Sequence, residues 1–277
     1  MEEKTYLTRS GRIHYWVSEV KEGPTLVFLP GLTADHRLFD KQIAYFEDKF
    51  TCLVWDAPGH GESRPFGYNH TLMDEAVWLH NILESESLWD AVIVGQSMGG
   101  YVAQCYMQRY PNWLLGFVSI DSAPIQRQYM SGWELWLMKH IEPVYKLYSW
   151  EKLLDRGSRG CAETEYGQKL MREMMSAYDK SEYCRLAASG YKKLADAVNE
   201  ALPYAIDCPA LLLVGEKDKA GSAKKYNSRW AKETGLPLKV IPNAGHNANT
   251  DAPEAVNAII EEYIASLPKT KNREFYY

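Results

Sequence analysis

Gly95-Gln96-Ser97-Met98-Gly99 is a G-x-S-x-G pentapeptide, the setting in which a serine hydroxyl can act as a nucleophile. Composition alone produces such a pentapeptide in roughly one chain of this length in ten, so its context decides. The β-branched run Ala91 to Val94 reads as a buried strand. It passes without a loop into Tyr101-Val102-Ala103-Gln104-Cys105-Tyr106-Met107, which has helical spacing. A serine on so tight a strand-to-helix bend is forced into a strained conformation, and flanking glycines leave room where a side chain would clash. Its Oγ is then exposed at a helix start, where amide N–H groups favour developing negative charge. The competing reading is a glycine-rich turn whose serine only caps a helix.

The elements that must position this serine alternate along the chain. Continuous apolar runs at Thr25 to Leu29, Thr51 to Trp55, Ala91 to Val94, Gly116 to Ile120, Ala210 to Val214 and Leu238 to Ile241 read as strands, most of them covered on both faces. Helical spacing lies between them, over Arg37 to Asp48, Thr71 to Glu86, Ser222 to Thr234 and Pro253 to about Leu267. Arg12 to Val20 reads as an edge or half-exposed strand. Strands alternating with helices imply a mostly parallel sheet flanked by helices, with its site at the carboxyl ends of the strands. Leu32, Ser97, Asp121, Asp218 and His246 all fall just past strand ends. From 125 to 205 no strand is convincing, and the helical spacing there is rich in tryptophan, tyrosine and methionine. The expected organisation is therefore a core of 1–124 and 206–277 interrupted by a helical insertion at 125–205.

The order of Ser97, an acid after the next-to-last strand and a histidine after the last resembles the α/β-hydrolase superfamily. So do Asp56-Ala57-Pro58-Gly59-His60-Gly61-Glu62-Ser63, Gly215-Glu216-Lys217-Asp218 and Asn243-Ala244-Gly245-His246. The resemblance spans nearly the whole chain and implies the α/β-hydrolase fold with a helical cap over the site. It implies Ser97 as nucleophile, His246 as base and a carboxylate to orient the imidazole. His246 is, among seven histidines, the one in a glycine-containing loop after the last strand; His14 and His80 sit inside elements, and His60 shapes its loop. Asp218 is the positional match for the acid, with Asp121 and then Glu216 as alternatives. The oxyanion donors expected by position are the N–H groups of Met98 and Leu32. Here the chain departs from the common pattern, in which His-Gly ends the first apolar strand. It has Pro30-Gly31 instead, which leaves the Leu32 donor but raises the question of how that loop is braced. Serine at this position also separates the chain from dehalogenases and epoxide hydrolases of this fold, which carry aspartate, and from dienelactone hydrolases, which carry cysteine.

The implied activity is hydrolysis of a carboxylic ester or lactone. A thioesterase or C–C hydrolase would use the same groups, and so would a slow, ligand-sensing relative. Expected substrate contacts are Gly31 and Gln96 beside the nucleophile, and Trp133 and Trp136 from an insertion that also holds Tyr129, Met130, Met138, Tyr145, Tyr148 and Trp150. These favour a small, partly apolar substrate and offer few fixed charges for a phosphate or dicarboxylate.

Composition agrees. The 277 residues, 46% hydrophobic, can bury one large core. The net charge of −5, from 31 basic and 36 acidic residues, argues against a nucleic-acid partner. Five scattered cysteines (Cys52, Cys105, Cys161, Cys184, Cys208) without a C-x-x-C pair argue against a disulfide framework or zinc site and for a reducing compartment. The acidic start is no signal peptide, and no apolar run approaches membrane-spanning length. A cytoplasmic enzyme without metal or cofactor, acting on a small-molecule ester, lactone or thioester, is the expectation.

Overall fold

A computed structural model describes residues 1–202, 205–220 and 223–268. Its core is one eight-stranded sheet in the order β1-β2-β4-β3-β5-β6-β7-β8. β1 (Glu2–Leu7), β2 (Arg12–Val17) and β4 (Thr51–Trp55) form an antiparallel flank, in which β2 runs against both neighbours. β3 (Thr25–Leu29), β5 (Ala91–Gln96), β6 (Gly116–Ile120), β7 (Ala210–Gly215) and β8 (Leu238–Ile241) complete the parallel part, with β3 in register beside both β4 and β5.

The apolar runs are continuous because both faces of these strands are covered. Val27, Ile93, Phe117 and Leu212 face one layer of core, with α2 (Leu72–Ser85) and α3 (Met98–Arg109). Leu26, Val92, Val94, Val118 and Leu213 face the other, with α1 (Asp40–Phe46). α2 starts where expected because Thr71 and Asp74 form a reciprocal capping box: the Thr71 hydroxyl accepts from Asp74 N at 3.1 Å, and the Asp74 carboxylate accepts from Thr71 N at 2.8 Å.

Two local readings are corrected. The predicted helix from Arg37 to Asp48 begins as a 3₁₀ turn over His36–Phe39, because Asp35 caps Arg37 N and redirects the chain before α1 begins. The alternating N-terminal residues form β1, which pairs with β2 along its full length and so moves β2 in from the sheet edge.

Between β6 and β7 the described residues hold five α-helices and no strand: α4 (Gly132–Lys139), α5 (Glu142–Leu147), α6 (Trp150–Cys161), α7 (Glu165–Ser176) and α8 (Lys180–Glu200). α8 packs against α4 and α5 and also against α2 of the sheet layer, while α6 and α7 pack as a pair. The Met174 sulfur of α7 accepts from Asp35 N at 3.3 Å, fixing the pair to the turn after β3. After β7 come α9 (Ala223–Thr234), a short α10 (Ala248–Asp251) and α11 (Pro253–Ser266). No helix among the described residues is long and apolar enough to cross a membrane.

Candidate active site

Ser97 joins β5 to α3 with φ 48° and ψ −113°, a backbone conformation that L-residues rarely adopt. Two contacts make the bend possible. A Cβ on Gly99 would stand 2.0 Å from Leu29 O, and one on Gly95 would stand 2.6 Å from Gly100 N. The bend is held by Ser97 N donating to Ile120 O at 2.9 Å and Gly100 N to Ser97 O at 3.0 Å. Met98 is the first residue of α3, so its N–H has no carbonyl four residues back to bond.

The turn after β3 lies directly against this bend. A Cβ on Gly31 would be 2.2 Å from Gln96 Oε1 and 3.1 Å from Ser97 Cβ, so only glycine lets the Leu32 backbone come so close to Ser97. From above, the Leu32 side chain fits against Gly190 of α8, where a Cβ would stand 2.4 Å from Leu32 Cδ1. Two turns of helix chemistry hold α8 in place behind it. Lys193 Nζ donates to Glu75 Oε1 at 2.6 Å and lies 2.8 Å from His70 Nε2, and all three side chains are buried. Burial alone would raise the Glu75 pKa, but the Lys193 charge and His70 outweigh it and hold the carboxylate down to about 2. Lys193, Glu75, His60, Leu32 and Met98 surround one small void. Burial, and next the Lys193 charge, lowers the His60 pKa to about 4, so this histidine is a neutral part of the brace. The loop that lacks the usual histidine is thus supported from behind by α2 and α8.

His246 follows β8 and reaches back to the acid after β7. Its Nδ1 lies 3.1 and 3.2 Å from the two carboxylate oxygens of Asp218, whose side chain is 1% exposed. Nδ1–H donated to Asp218 leaves Nε2 as the acceptor of the ring. The loop carrying His246 is clamped on several sides. Its carbonyl accepts from Gln96 Nε2 at 2.8 Å, Gly245 N donates to Asp251 Oδ2 at 2.8 Å, and Asn247 N donates to Cys161 O at 2.7 Å. Gly215 is forced here too, since a Cβ would stand 2.0 Å from Gly245 O.

The three acid candidates have different partners. Asp218 bonds the imidazole. Asp121 accepts from Gly215 N at 2.7 Å and Ala248 N at 3.2 Å, and its side chain also shares a hydrogen bond with Asp218. Burial, and then the Asp218 charge beside it, pushes the Asp121 carboxyl well above the ordinary range despite those two amides. Glu216 is exposed and accepts from Asn243 N at 2.9 Å, holding the outer side of the histidine loop. Among the described residues two acid–histidine clusters have metal-like spacing, Asp121 with Asp218 and His246, and Asp35 with His36 and Asp56. In the second, Arg37 pairs with Asp35 at 2.7 Å while His36 N and Glu62 N each donate to Asp56 at 2.7 Å, so its oxygens are already committed.

Two cavities meet over Ser97. Leu32, Ser97, Tyr191, Ala220 and His246 belong to the walls of both. The first, about 320 Å³, extends under α5, α6 and α7 and is walled by Tyr145, Tyr148, Tyr183 and Arg156. The second, about 260 Å³, extends under α4 and α9 and is walled by Tyr101, Met130, Met138, Leu194 and Tyr226.

Gln96 lines the first cavity, but its amide is used to hold the histidine loop, and Gly31 serves close backbone approach rather than a cavity wall over Ser97. Trp133 and Trp136 are corrected: they line neither cavity, are 67% and 49% exposed, and stack on one another at 4.9 Å. At 100° per residue, Glu134, Leu137 and Met138 share the cavity face of α4, and the two tryptophans share the outer one. Tyr183, Tyr191 and Tyr226 were missed as wall residues. A helical period was visible around each, but which face of α8 or α9 turns toward Ser97 depends on packing between distant helices.

The model of the alpha/beta hydrolase family matches residues 26–259. The chain is 23% identical to a 2-(acetamidomethylene)succinate hydrolase of Mesorhizobium japonicum, covering 92% of both. It is 24% identical to a carboxylesterase of Bacillus subtilis, over 93% of this chain and 86% of that one. A thermophilic esterase from Thermogutta terrifontis, solved with malate bound, superposes with a TM-score of 0.77 at 22% identity, covering 96% of this chain and 98% of the other.

Proposed function

The chain belongs to the alpha/beta hydrolase family, and from that premise we propose that it is a serine hydrolase cleaving a carboxylic ester or lactone through an acyl-enzyme. Ser97 Oγ attacks the carbonyl carbon while its proton passes to His246 Nε2. Asp218 holds the imidazole in the accepting tautomer and stabilises the imidazolium that forms. The tetrahedral oxyanion accepts from the N–H groups of Leu32 and Met98, each such donor being worth about 2.7–4 kcal/mol in the transition state. Collapse breaks the ester C–O bond, and the leaving oxygen takes the proton from His246; in a lactone it stays tethered to the acyl group. Water then attacks the acyl-enzyme with His246 again as base, releasing the acid and restoring Ser97.

One observation carries this reading. A serine held at φ 48° and ψ −113° shares its cavity with a histidine whose Nδ1 is bonded to a buried aspartate. The carboxylesterase among the relatives supports the ester chemistry, and two compact cavities support a small substrate with parts on both sides of the scissile bond. The residues between β6 and β7 act as the cap that closes over it. Hydrolysis of p-nitrophenyl butyrate is the test: Ser97→Ala should lower kcat at least a thousandfold, and retained turnover in that variant refutes the mechanism.

A further inference from the structure

The two cavities differ in charge. The second has two acids in its wall, Asp121 and Glu134, of which Glu134 caps α4 and bonds the Tyr226 hydroxyl. Among the described residues the first has no carboxylate and one permanently charged side chain, Arg156. Arg156 is an exposed residue of α6 at the cavity wall, with its guanidinium over the Tyr148 ring, 4.7 Å from the ring centre. The acids near it on α6 are taken by other cations. Arg159 pairs with Asp155 at 2.9 Å and Arg172 with Glu151 at 2.5 Å, and among the described residues Arg156 has no carboxylate partner. The rest of the wall is apolar side chains such as Leu32, Val144 and Leu153 together with neutral polar groups, most of them tyrosine hydroxyls. Burial raises the pKa of Tyr145, Tyr183 and Tyr191 and pushes the Cys161 thiol up to about 12, so none of these brings negative charge.

Resting on the hydrolase reading of Ser97, we propose that the first cavity is an anion subsite and that the substrate is an ester or lactone bearing a carboxylate, which Arg156 binds. A planar guanidinium with its five N–H donors suits a carboxylate better than an ammonium does, and stacking on Tyr148 leaves its edge free to donate. The apolar side of the substrate then occupies the second cavity, against Met130, Met138 and Leu194. The one fixed charge in the wall of the first cavity is thus positive.

The test is binding, so that it stands apart from catalysis. In the Ser97→Ala background, calorimetry compares 4-acetoxybenzoate with phenyl acetate, and monomethyl adipate with methyl hexanoate. The first pair carries the carboxylate on the leaving group and the second on the acyl group. Adding Arg156→Gln should weaken the carboxylate ester of at least one pair about tenfold, or about 1.4 kcal/mol. Its neutral partner should change less than twofold, and Arg156→Lys should recover part of the loss. Equal changes within both pairs, or no change in either, overturn the proposal. Heat of hydrolysis persisting in Ser97→Ala would instead count against the serine mechanism while leaving the anion comparison readable.

Discussion

Lys193→Met removes the cation that α8 sends into the sheet layer, and its cost can be worked from the structure. Lys193 and Glu75 are 9% and 4% exposed and 2.6 Å apart. Without the ammonium, Glu75 is a buried carboxylate whose remaining partner is His70, at 3.1 Å. Holding Glu75 from the ordinary 4.5 down to about 2 corresponds to about 3 kcal/mol. That agrees with the roughly 3–5 kcal/mol typical of breaking one side of a buried ion pair. At about 2 °C per kcal/mol for a chain of this size, thermal unfolding at pH 7 should shift down by roughly 6–10 °C. The pH dependence has a definite sign. A carboxylate whose folded pKa is depressed contributes stability that is fully present above its unfolded pKa and lost as pH falls through the folded one. The gap between wild type and variant should therefore be widest above pH 5 and narrow between about pH 4.5 and pH 2. Adding Glu75→Gln, which replaces the stranded charge with a neutral amide, should restore part of the lost stability. Circular dichroism melts of wild type, both single variants and the double variant at pH 7 and pH 4 read this out. A Lys193→Met melt within 2 °C of wild type at pH 7, or a double variant as unstable as the sum of two single losses, refutes the reasoning.

Further predictions concern the site. Asp218→Asn should lower kcat for p-nitrophenyl butyrate by about 10³–10⁴-fold, by favouring the wrong tautomer of His246. Asp121→Asn, which alters contacts to two backbone amides and to Asp218 rather than to the ring, should lower kcat far less than Asp218→Asn and act mainly on the melting temperature; the reverse ranking in kcat would reassign the acid. Gly190→Val, whose side chain must displace Leu32, should lower kcat tenfold or more with KM little changed. A rise in KM with kcat unchanged would mean that the Leu32 turn binds ground state and transition state equally, and would refute its role as an oxyanion donor. Trp133→Ala with Trp136→Ala should leave KM for the same ester within twofold, because both rings face outward; a tenfold rise would put them back in the substrate path.

Much of the fold and part of the site could be read directly from the chain. Continuous apolar strands separated by helical periods specify a covered parallel sheet, because a strand buried on both faces needs no alternation and parallel neighbours need a crossover. The same pattern puts Leu32, Ser97, Asp218 and His246 at strand ends, and parallel strands bring those ends to one edge. Glycines at 95 and 99 signal the bend because the clash they avoid is local.

What stayed hidden depends on contacts between residues remote in sequence. Lys193 and Glu75 lie 118 positions apart, and nothing local distinguishes that lysine from the exposed Lys192 beside it. Gln96 is expected as a substrate contact because it neighbours Ser97, and it does line the first cavity, but nothing in the sequence shows that its amide bonds a carbonyl 150 residues away. The tryptophans of α4 carried the right chemistry on the wrong face, since composition reports what a helix contains and only packing decides how it is rotated. Arg156 was one cation among 31 until the folded chain paired its neighbours with other charges and left it at the cavity wall. Periodicity and spacing are local properties that a linear chain already expresses; helix orientation and charge pairing arise only when distant segments compete for the same partners.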